Sequence, residues 1–557
     1  MTLFHDSHDP AYRSPFGAAE CGQTISLSLK APEADYALLR LYTDEEGEKV
    51  LQPNGADNGI FFWSFEAPQD DVVLWYFFVA GIGDNVYCLG DNDDSLGGEG
   101  KVYYQGETPK SFRISVYHPF SVPDWYKEGI VYQIYPDRFA RAKSDPPLKE
   151  TGRALGRKTE DWDTPPYYIR RDDGSIAQWN FWGGTLKGIE SRLPYIRSLG
   201  ASVIYLNPIF KARSNHRYDT ADYFETDPML GTEEDFHSLC CKAAELGIRI
   251  ILDGVFNHTG CDSDYFRQHK DWYLKDEDGS VKCWWGVKDL PEIDESNEEF
   301  RELICGENGV IRYWLRAGAS GWRLDVADEL PNDFLMLIRR AVKAEGDDKL
   351  VIGEVWEDAS YKYDYGARMR FLGGLELDSV MNYPVREDII AYVKGDISAA
   401  VFAARQISRM ENYPAEAFYG CFNMLGSHDR ERIFTMLGSR RAVEFASALL
   451  YVLPGVPVLY YGDEALLEGG RDPENRGTFP WGKEPGKKGA FPWGDEPALY
   501  KHFKALGELR NGSLALKKGS FRAFADGDGK LIIERSFGRE TRRFAFSAAD
   551  LSWEELR

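Results

Sequence analysis

Four short stretches of the chain carry side chains suited to acid–base chemistry on a neutral, hydroxyl-rich substrate. They hold Asp253 with Asn257-His258, Arg323 with Asp325, Glu354, and the pair His428-Asp429. Taken singly, each has an ordinary reading. An Asp beside an Arg is commonly a salt bridge or a cap, and a His beside an Asn is commonly a satisfied hydrogen-bonding pair. Gathered at one opening, the acids repel each other, a cost that folding alone gives no reason to accept. Two carboxyl groups are what cleavage of a glycosidic bond requires: one attacks the anomeric carbon while the other, kept protonated, gives its proton to the leaving oxygen. Arg323 lies two residues before Asp325, so on a strand it shares that face and holds the nucleophile ionised. Histidines beside sugar hydroxyls would act as donors to the cationic transition state. The distance between the two carboxyls is not readable from residue order, so the stereochemical outcome stays open at this point.

Such a set needs elements that end at one place. From about residue 123, short β-branched runs alternate with helical stretches. The runs are Val131 to Tyr135, Ser202 to Leu206, Ile248 to Asp253, Trp322 to Asp325, Leu350 to Glu354, Leu377 to Val380, Phe422 to Leu425 and Val456 to Tyr461. Thr232 through Leu246 carries apolar positions at helical spacing. Eight such repeats predict an α/β fold, a closed (β/α)₈ TIM barrel over residues 123–510, with its chemistry at the C-terminal ends of the strands. Residues 257–305 are too long for a usual loop and predict an excursion domain after the third strand.

Residues 1–122 read as an N-terminal β-sandwich, with strands at Thr24–Leu29, Tyr36–Tyr42, Val72–Val79 and Phe112–Tyr117. Within it, Phe61-Phe62-Trp63-Ser64-Phe65 suits inner-face packing more than glucan binding. Residues 511–557, with Lys530–Glu534, predict a small C-terminal β domain. At 557 residues the chain exceeds what one core usually organises.

Composition narrows the partners. A formal net charge of −24 repels phosphate backbones and anionic membranes, so nucleic acid and membrane surfaces are not expected ligands. The first ten residues lack a basic and apolar leader pattern, and the apolar stretch from Phe445 to Tyr461 is broken by Pro454, Gly455 and Pro457. Eight cysteines show no disulfide or zinc spacing. A cytoplasmic protein is the expectation. No Gly-rich dinucleotide or P-loop motif occurs, which sets aside nicotinamide and phosphoryl-transfer chemistry.

The ordered motifs then resemble a known family. Asp253-Gly254-Val255-Phe256-Asn257-His258, Gly321 to Ala327, Gly353-Glu354-Val355-Trp356 and Gly426-Ser427-His428-Asp429 are similar to the α-amylase family, glycoside hydrolase family 13. Phe181 to Ile189, Tyr205 to Phe210, Ser214 to Thr220, Tyr461 to Glu464 and Gly469 to Pro473 extend the likeness toward its neopullulanase, cyclomaltodextrinase and maltogenic amylase group. The resemblance implies a retaining α-glucan hydrolase acting on α-1,4 and possibly α-1,6 bonds in maltooligosaccharides, cyclodextrins, pullulan or starch. It implies Asp325 as nucleophile, Glu354 as acid/base and Asp429 as the third carboxylate. His216, Tyr218, His258, Arg323 and His428 would hold the reacting sugar or orient the nucleophile, and Asp253, as a structural partner of Arg323 and of the barrel end, and Asn257 would be structural support. The N-terminal domain would support a homodimer. An α-glucosidase or plain α-amylase shares the bond-breaking residues. An inactive glucan-binding barrel would be expected to have lost one of the three acids.

Three departures from the group's pattern bear on detail. Val-Ala-Asn-Glu is Val326-Ala327-Asp328-Glu329 here, altering the charge of an acceptor-side contact. The Met-Pro-Lys-Leu-Asn fingerprint is Asp289 to Asp294. The frequent calcium motif is Arg141-Ala142-Lys143, which offers a cation no side-chain oxygens. No cofactor is expected for the chemistry. Structural calcium is unsupported at that motif, and Asp91 to Asp94 read as an acidic surface turn rather than a metal site.

Overall fold

A computed structural model describes residues 2–172, 174–364, 366–481 and 498–556. Eight parallel strands form one sheet, labelled here β1 (Val131–Ile134), β2 (Val203–Leu206), β3 (Arg249–Gly254), β4 (Gly321–Leu324), β5 (Leu350–Gly353), β6 (Ser379–Val380), β7 (Phe422–Met424) and β8 (Val456–Tyr460). β8 pairs with β1, and a parallel bridge between Met381 and Phe422 joins the two remaining edges, so the sheet closes. The expected strands fall within a few residues of those observed. Their β-branched and aromatic residues suit strands buried on both faces.

Strand alternation divides each barrel strand cleanly. Val131, Val203, Tyr205, Ile251, Leu350, Ile352, Phe422, Met424, Val456 and Val458 fill the lumen in one cluster. Tyr132, Ile134, Ile204, Leu206, Ile250, Leu252, Trp322, Leu324 and Val351 pack outward against the helices in another. Residues of the lumen parity that continue past the apolar plug are Gln133, Asn207, Asp253, Arg323, Asp325 and Glu354. With a period of two, these side chains must emerge on one side of the barrel mouth layer. The covering helices follow ordinary rules: Glu233–Glu245 starts on a Thr232–Asp235 capping box and buries Phe236, Leu239 and Ala243.

The N-terminal region forms a four-stranded and a seven-stranded sheet around its own core, which includes Ile25, Leu27, Trp63, Tyr76 and Phe78. In the aromatic run, Trp63 is buried and Phe62 exposed, as strand alternation requires. A four-stranded antiparallel sheet between Ser520 and Leu556 closes the chain. The acidic turn departs from expectation at Asp91. Its side chain is buried and accepts from the Asn92 and Gly97 N–H groups, while Asp93 pairs with Lys101 at 2.7 Å. The excursion after β3 holds a helix at Asp264–Gln268 and a ladder of single bridges such as His258 to Glu292. The loop after β1 is also long and carries short strand pairs at Lys158–Thr159 and Ile169–Gln178, which residue order did not suggest. Among the described residues no helix is long and apolar enough to cross a membrane.

Candidate active site

Parallel register places Asp253 opposite Arg323 on adjacent strands. The guanidinium is fully buried, with Nη1 2.7 Å from Asp253 Oδ1 and 2.8 Å from Asp325 Oδ1, and Nη2 2.8 Å from Glu354 Oε2. The sequence pairs Arg323 with Asp325 and, through the resemblance, with Asp253; the structure adds Glu354 as a third carboxylate. That sharing has consequences for charge. Burial pushes Asp325 well above the usual carboxylate range, with Arg323 opposing and Glu354 adding to the rise. Glu354 is raised for the same leading reason, again against Arg323 and with Asp429 adding. The cluster therefore has reason to keep a proton, which is what a donor to a leaving oxygen needs. Removing the arginine would strand buried carboxylates, a loss of roughly 3–5 kcal/mol.

Local backbone completes the pair. Val326, a β-branched residue, sits in the left-handed region at φ +39° immediately after Asp325, where such residues are rarely found. That turn points its N–H at Glu354 Oε2, 2.9 Å away. Glu354 Oε2 is thus taken by Arg323 and Val326, and Oε1 lies 3.4 Å from the Tyr383 hydroxyl. Asp325 Oδ1 is taken by Arg323, leaving Oδ2 unengaged by that contact. Trp356 stacks on Tyr383 with centroids 4.1 Å apart, fixing the phenol beside Glu354.

The third carboxylate and the histidines form the other wall. Asp429 Oδ2 is 3.1 Å from His428 Nε2, and Oδ1 is 3.6 Å from Arg476 Nη2. His428 Nδ1 faces two amide donors, Gln133 Nε2 at 3.0 Å and Asn207 Nδ2 at 3.1 Å. With these amide orientations Nδ1 must accept, so the imidazole proton resides on Nε2, toward Asp429 and the Tyr218 hydroxyl. Burial, with Arg476 and Arg323 nearby, keeps His428 neutral. Tyr218 stacks on His428 at 5.4 Å, and its hydroxyl donates to Asp253 Oδ2 at 2.9 Å, a carboxyl oxygen it shares with Tyr205. His216 Nδ1 accepts from the Tyr218 N–H, and Trp179 meets the His216 ring edge-on at 4.7 Å. His258 is pushed down to about 3 by burial and donates through Nδ1 to Asn257 Oδ1. Its Nε2 is buried with no hydrogen-bond partner among the described residues, able to take a hydrogen bond from a ligand hydroxyl.

All ten residues singled out in the sequence lie in this one assembly or directly beside it. Gln133, Asn207, Tyr205, Tyr383 and Arg476 were not singled out. Gln133, Asn207 and Tyr205 share the lumen parity of the other site residues, a signal available once the strands are assigned. A further wall comes from the excursion. Trp284 stacks on His258 at 5.0 Å, and the Trp284 and Trp285 indoles donate to the two oxygens of Glu329 at 2.9 and 2.8 Å. Trp285 remains 81% exposed.

At the calcium motif position a side-chain cation stands among the oxygen donors. Arg141 places Nη1 2.7 Å from Gly183 O and Nη2 2.7 Å from Pro146 O, so a guanidinium already occupies these carbonyls and the residues do not fit a metal there.

A family model described as the α-amylase catalytic domain matches residues 133–519. The chain belongs to the α-amylase family. Among curated relatives in that family, an amylopullulanase of Thermoanaerobacterium saccharolyticum is 36% identical over 604 aligned positions, covering 93% of this chain and 45% of that protein. The chain thus spans less than half the length of the longer amylopullulanases it matches. A cyclomaltodextrinase of Geobacillus thermopakistaniensis is 35% identical, covering 88% of this chain and 80% of that protein. Among solved α-amylase-family structures, the ligand-free cyclic α-maltosyl-(1→6)-maltose hydrolase of Arthrobacter globiformis has a TM-score of 0.67 at 31% identity, covering 78% of this chain and 99% of that one.

Proposed function

We propose that the chain hydrolyses α-1,4-glucosidic bonds in short maltooligosaccharides, cyclodextrins and pullulan by double displacement with retention, and that it also cleaves α-1,6 bonds. The observation that carries this reading is the single guanidinium of Arg323 within 2.8 Å of both Asp325 and Glu354. One cation serving both groups gathers them in a single cluster; retention, with direct attack by a carboxylate rather than by a water across the roughly 6.5–9.5 Å of an inverting pair, is supported by membership of the α-amylase family. In this mechanism Asp325 Oδ2 attacks the anomeric carbon while Glu354 gives its proton to the departing oxygen. Glu354, now ionised and held by Arg323 and the Val326 N–H, then takes a proton from the water that releases the sugar. Asp429, His428 and His258 bind hydroxyls of the reacting glucose, and Tyr218 packs against its ring with His216 beside it. Trp285, exposed and pinned by Glu329, offers an apolar face to a sugar on the leaving-group side.

The relatives support the substrate class: their names include amylopullulanase, neopullulanase and cyclomaltodextrinase. A cytoplasmic location and a homodimer through the N-terminal domain complete the proposal, the former supported by a 30%-identical intracellular maltogenic amylase of Bacillus subtilis. Parallel digestion of β-cyclodextrin, pullulan and soluble starch, with products separated by length, tests it. Faster attack on cyclodextrin or pullulan, giving maltose or panose, is the expected outcome. Fast internal cuts in starch with little action on cyclodextrin would instead indicate an open-cleft α-amylase.

A further inference from the structure

The loop after β5 runs from the acid/base residue to the N-terminal domain and back. Residues Lys362–Asp364 and Ala367–Met369 pair as an antiparallel hairpin. On its outer side the N-terminal β domain grips it at several points. The buried Asp71 lies 3.0 Å from Arg370 Nη1 and 3.3 Å from Arg368 Nη2, and its own carbonyl accepts from Arg368 at 2.5 Å. The Tyr363 hydroxyl donates to Asp44 at 2.6 Å, and Trp75 meets Tyr361 edge-on at 5.0 Å. On its inner side Lys362 Nζ reaches Asp328 Oδ2 at 3.0 Å, and also Glu357 at 2.8 Å. Asp328 is mostly buried, and its N–H donates to the Glu354 carbonyl at 3.2 Å. Asp328 is also the position at which this chain replaces the uncharged Asn of its group, so Lys362 supplies the compensating charge.

We infer that this hairpin is a strut through which the N-terminal domain positions the Glu354 side of the cleft, with Lys362 as the positioning residue that neutralises Asp328. The inference rests on the acid/base role proposed for Glu354. The charged and titratable groups facing Glu354 include Arg323 and Asp325 from β4, Asp253 from β3, Tyr205 from β2, Asp429 after β7, Tyr383 after β6 and Asp328 itself. Lys362 also serves Glu357 at 2.8 Å and Asp364 at 3.8 Å, so removing it takes a shared cation from three carboxylates, of which the buried Asp328, its N–H on the Glu354 carbonyl, stands against Glu354. The Asp328 charge disfavours ionised Glu354, so the proton is held to higher pH.

The test is a ¹³C-NMR titration of labelled glutamate carboxyls, with the Glu354 resonance assigned by its loss in Glu354→Gln. Because it needs no substrate, it is independent of the substrate proposal. Lys362→Met is expected to raise the Glu354 midpoint by about one pH unit, a shift of the size a neighbouring charge produces. Lys362→Arg should keep the original midpoint, and Lys362→Met combined with Asp328→Asn should restore it. Asp71→Asn, remote from the cleft, should move the midpoint in the same direction as Lys362→Met, and lower kcat/KM on a cleaved α-glucan by roughly tenfold through misplacement. An unmoved midpoint in Lys362→Met, or one that Asp328→Asn does not restore, would overturn the neutralising role. An unmoved midpoint in Asp71→Asn would overturn the strut.

Discussion

The carboxylate centre and the loop wall proposed for the leaving group are built in opposite ways. At the centre, Asp253, Arg323, Asp325 and Glu354 stand at or one residue past the ends of neighbouring strands, and hydrogen-bonded register fixes which side chain meets which. One buried guanidinium then ties three carboxylates together. At the wall, Trp284, Trp285, Glu329, Asp328 and Lys362 come from loops after β3, β4 and β5, and each contact joins two separate excursions. The difference separates roles. Strand ends hold the carboxylates proposed to react with little freedom, whereas loop pairs can be exchanged without disturbing the barrel.

Substitutions that respect this division should differ in kind as well as in size. Asp325→Asn removes the proposed attacking group and is expected to lower kcat on any α-glucan the chain cleaves by at least ~10⁴-fold, with folding intact by circular dichroism. Asn207→Ala takes one of two donors from His428 Nδ1 and loosens the tautomer. A roughly tenfold fall in kcat/KM, about one hydrogen bond, is expected from steady-state kinetics. At the wall the signature changes. Trp285→Ala should raise KM for a long maltooligosaccharide by about 2- to 10-fold while leaving kcat nearly untouched, the worth of one aromatic face. An equal fall in kcat would place Trp285 with the centre and erase the contrast.

The smallest effect lies in the excursion that carries the Trp pair. Burial pushes Glu295 up to about 8, and its Oε1 has no hydrogen-bond partner among the described residues. Its folded-state pKa is thus above that of the unfolded chain, so the folded protein binds the extra proton between the two values. Stability contributed by that proton is present at low pH and is lost as pH rises from about 4.3 toward the folded value. Glu295→Gln should flatten the fall in melting temperature across that window, measured by calorimetry; an unchanged slope would show that Glu295 does not titrate there.

Much of the centre was legible because its determinants are local. Buried strands are β-branched runs, and the residues that follow them in the chain are the site, so Asp325 and Glu354 announce themselves within one or two positions of a strand end. Gln133 and Asn207 obey the same parity, but their role depends on meeting His428, which is 295 and 221 residues away. The wall was less legible. Lys362 lies in a hairpin between two Tyr residues with no motif of its own, and only the fold brings it to Asp328. The Asp at that position read as a change in charge. Its neutralisation by a lysine 34 residues on could not be seen without the structure. The resemblance pairs Arg323 with Asp253 and i, i+2 spacing pairs it with Asp325, but nothing in residue order reveals its contact with Glu354 on the neighbouring strand.

The central claim, that Asp325 is the attacking carboxylate and Glu354 its proton partner, is most directly tested by trapping. Glu354→Gln incubated with α-maltosyl fluoride can still be glycosylated, because fluoride leaves without a proton, but lacks the base that activates water. Mass spectrometry of the digested protein should find a maltosyl unit on the peptide containing Asp325. Attachment at another residue, or no covalent adduct together with an inverted sugar product from the unsubstituted enzyme, would contradict the account.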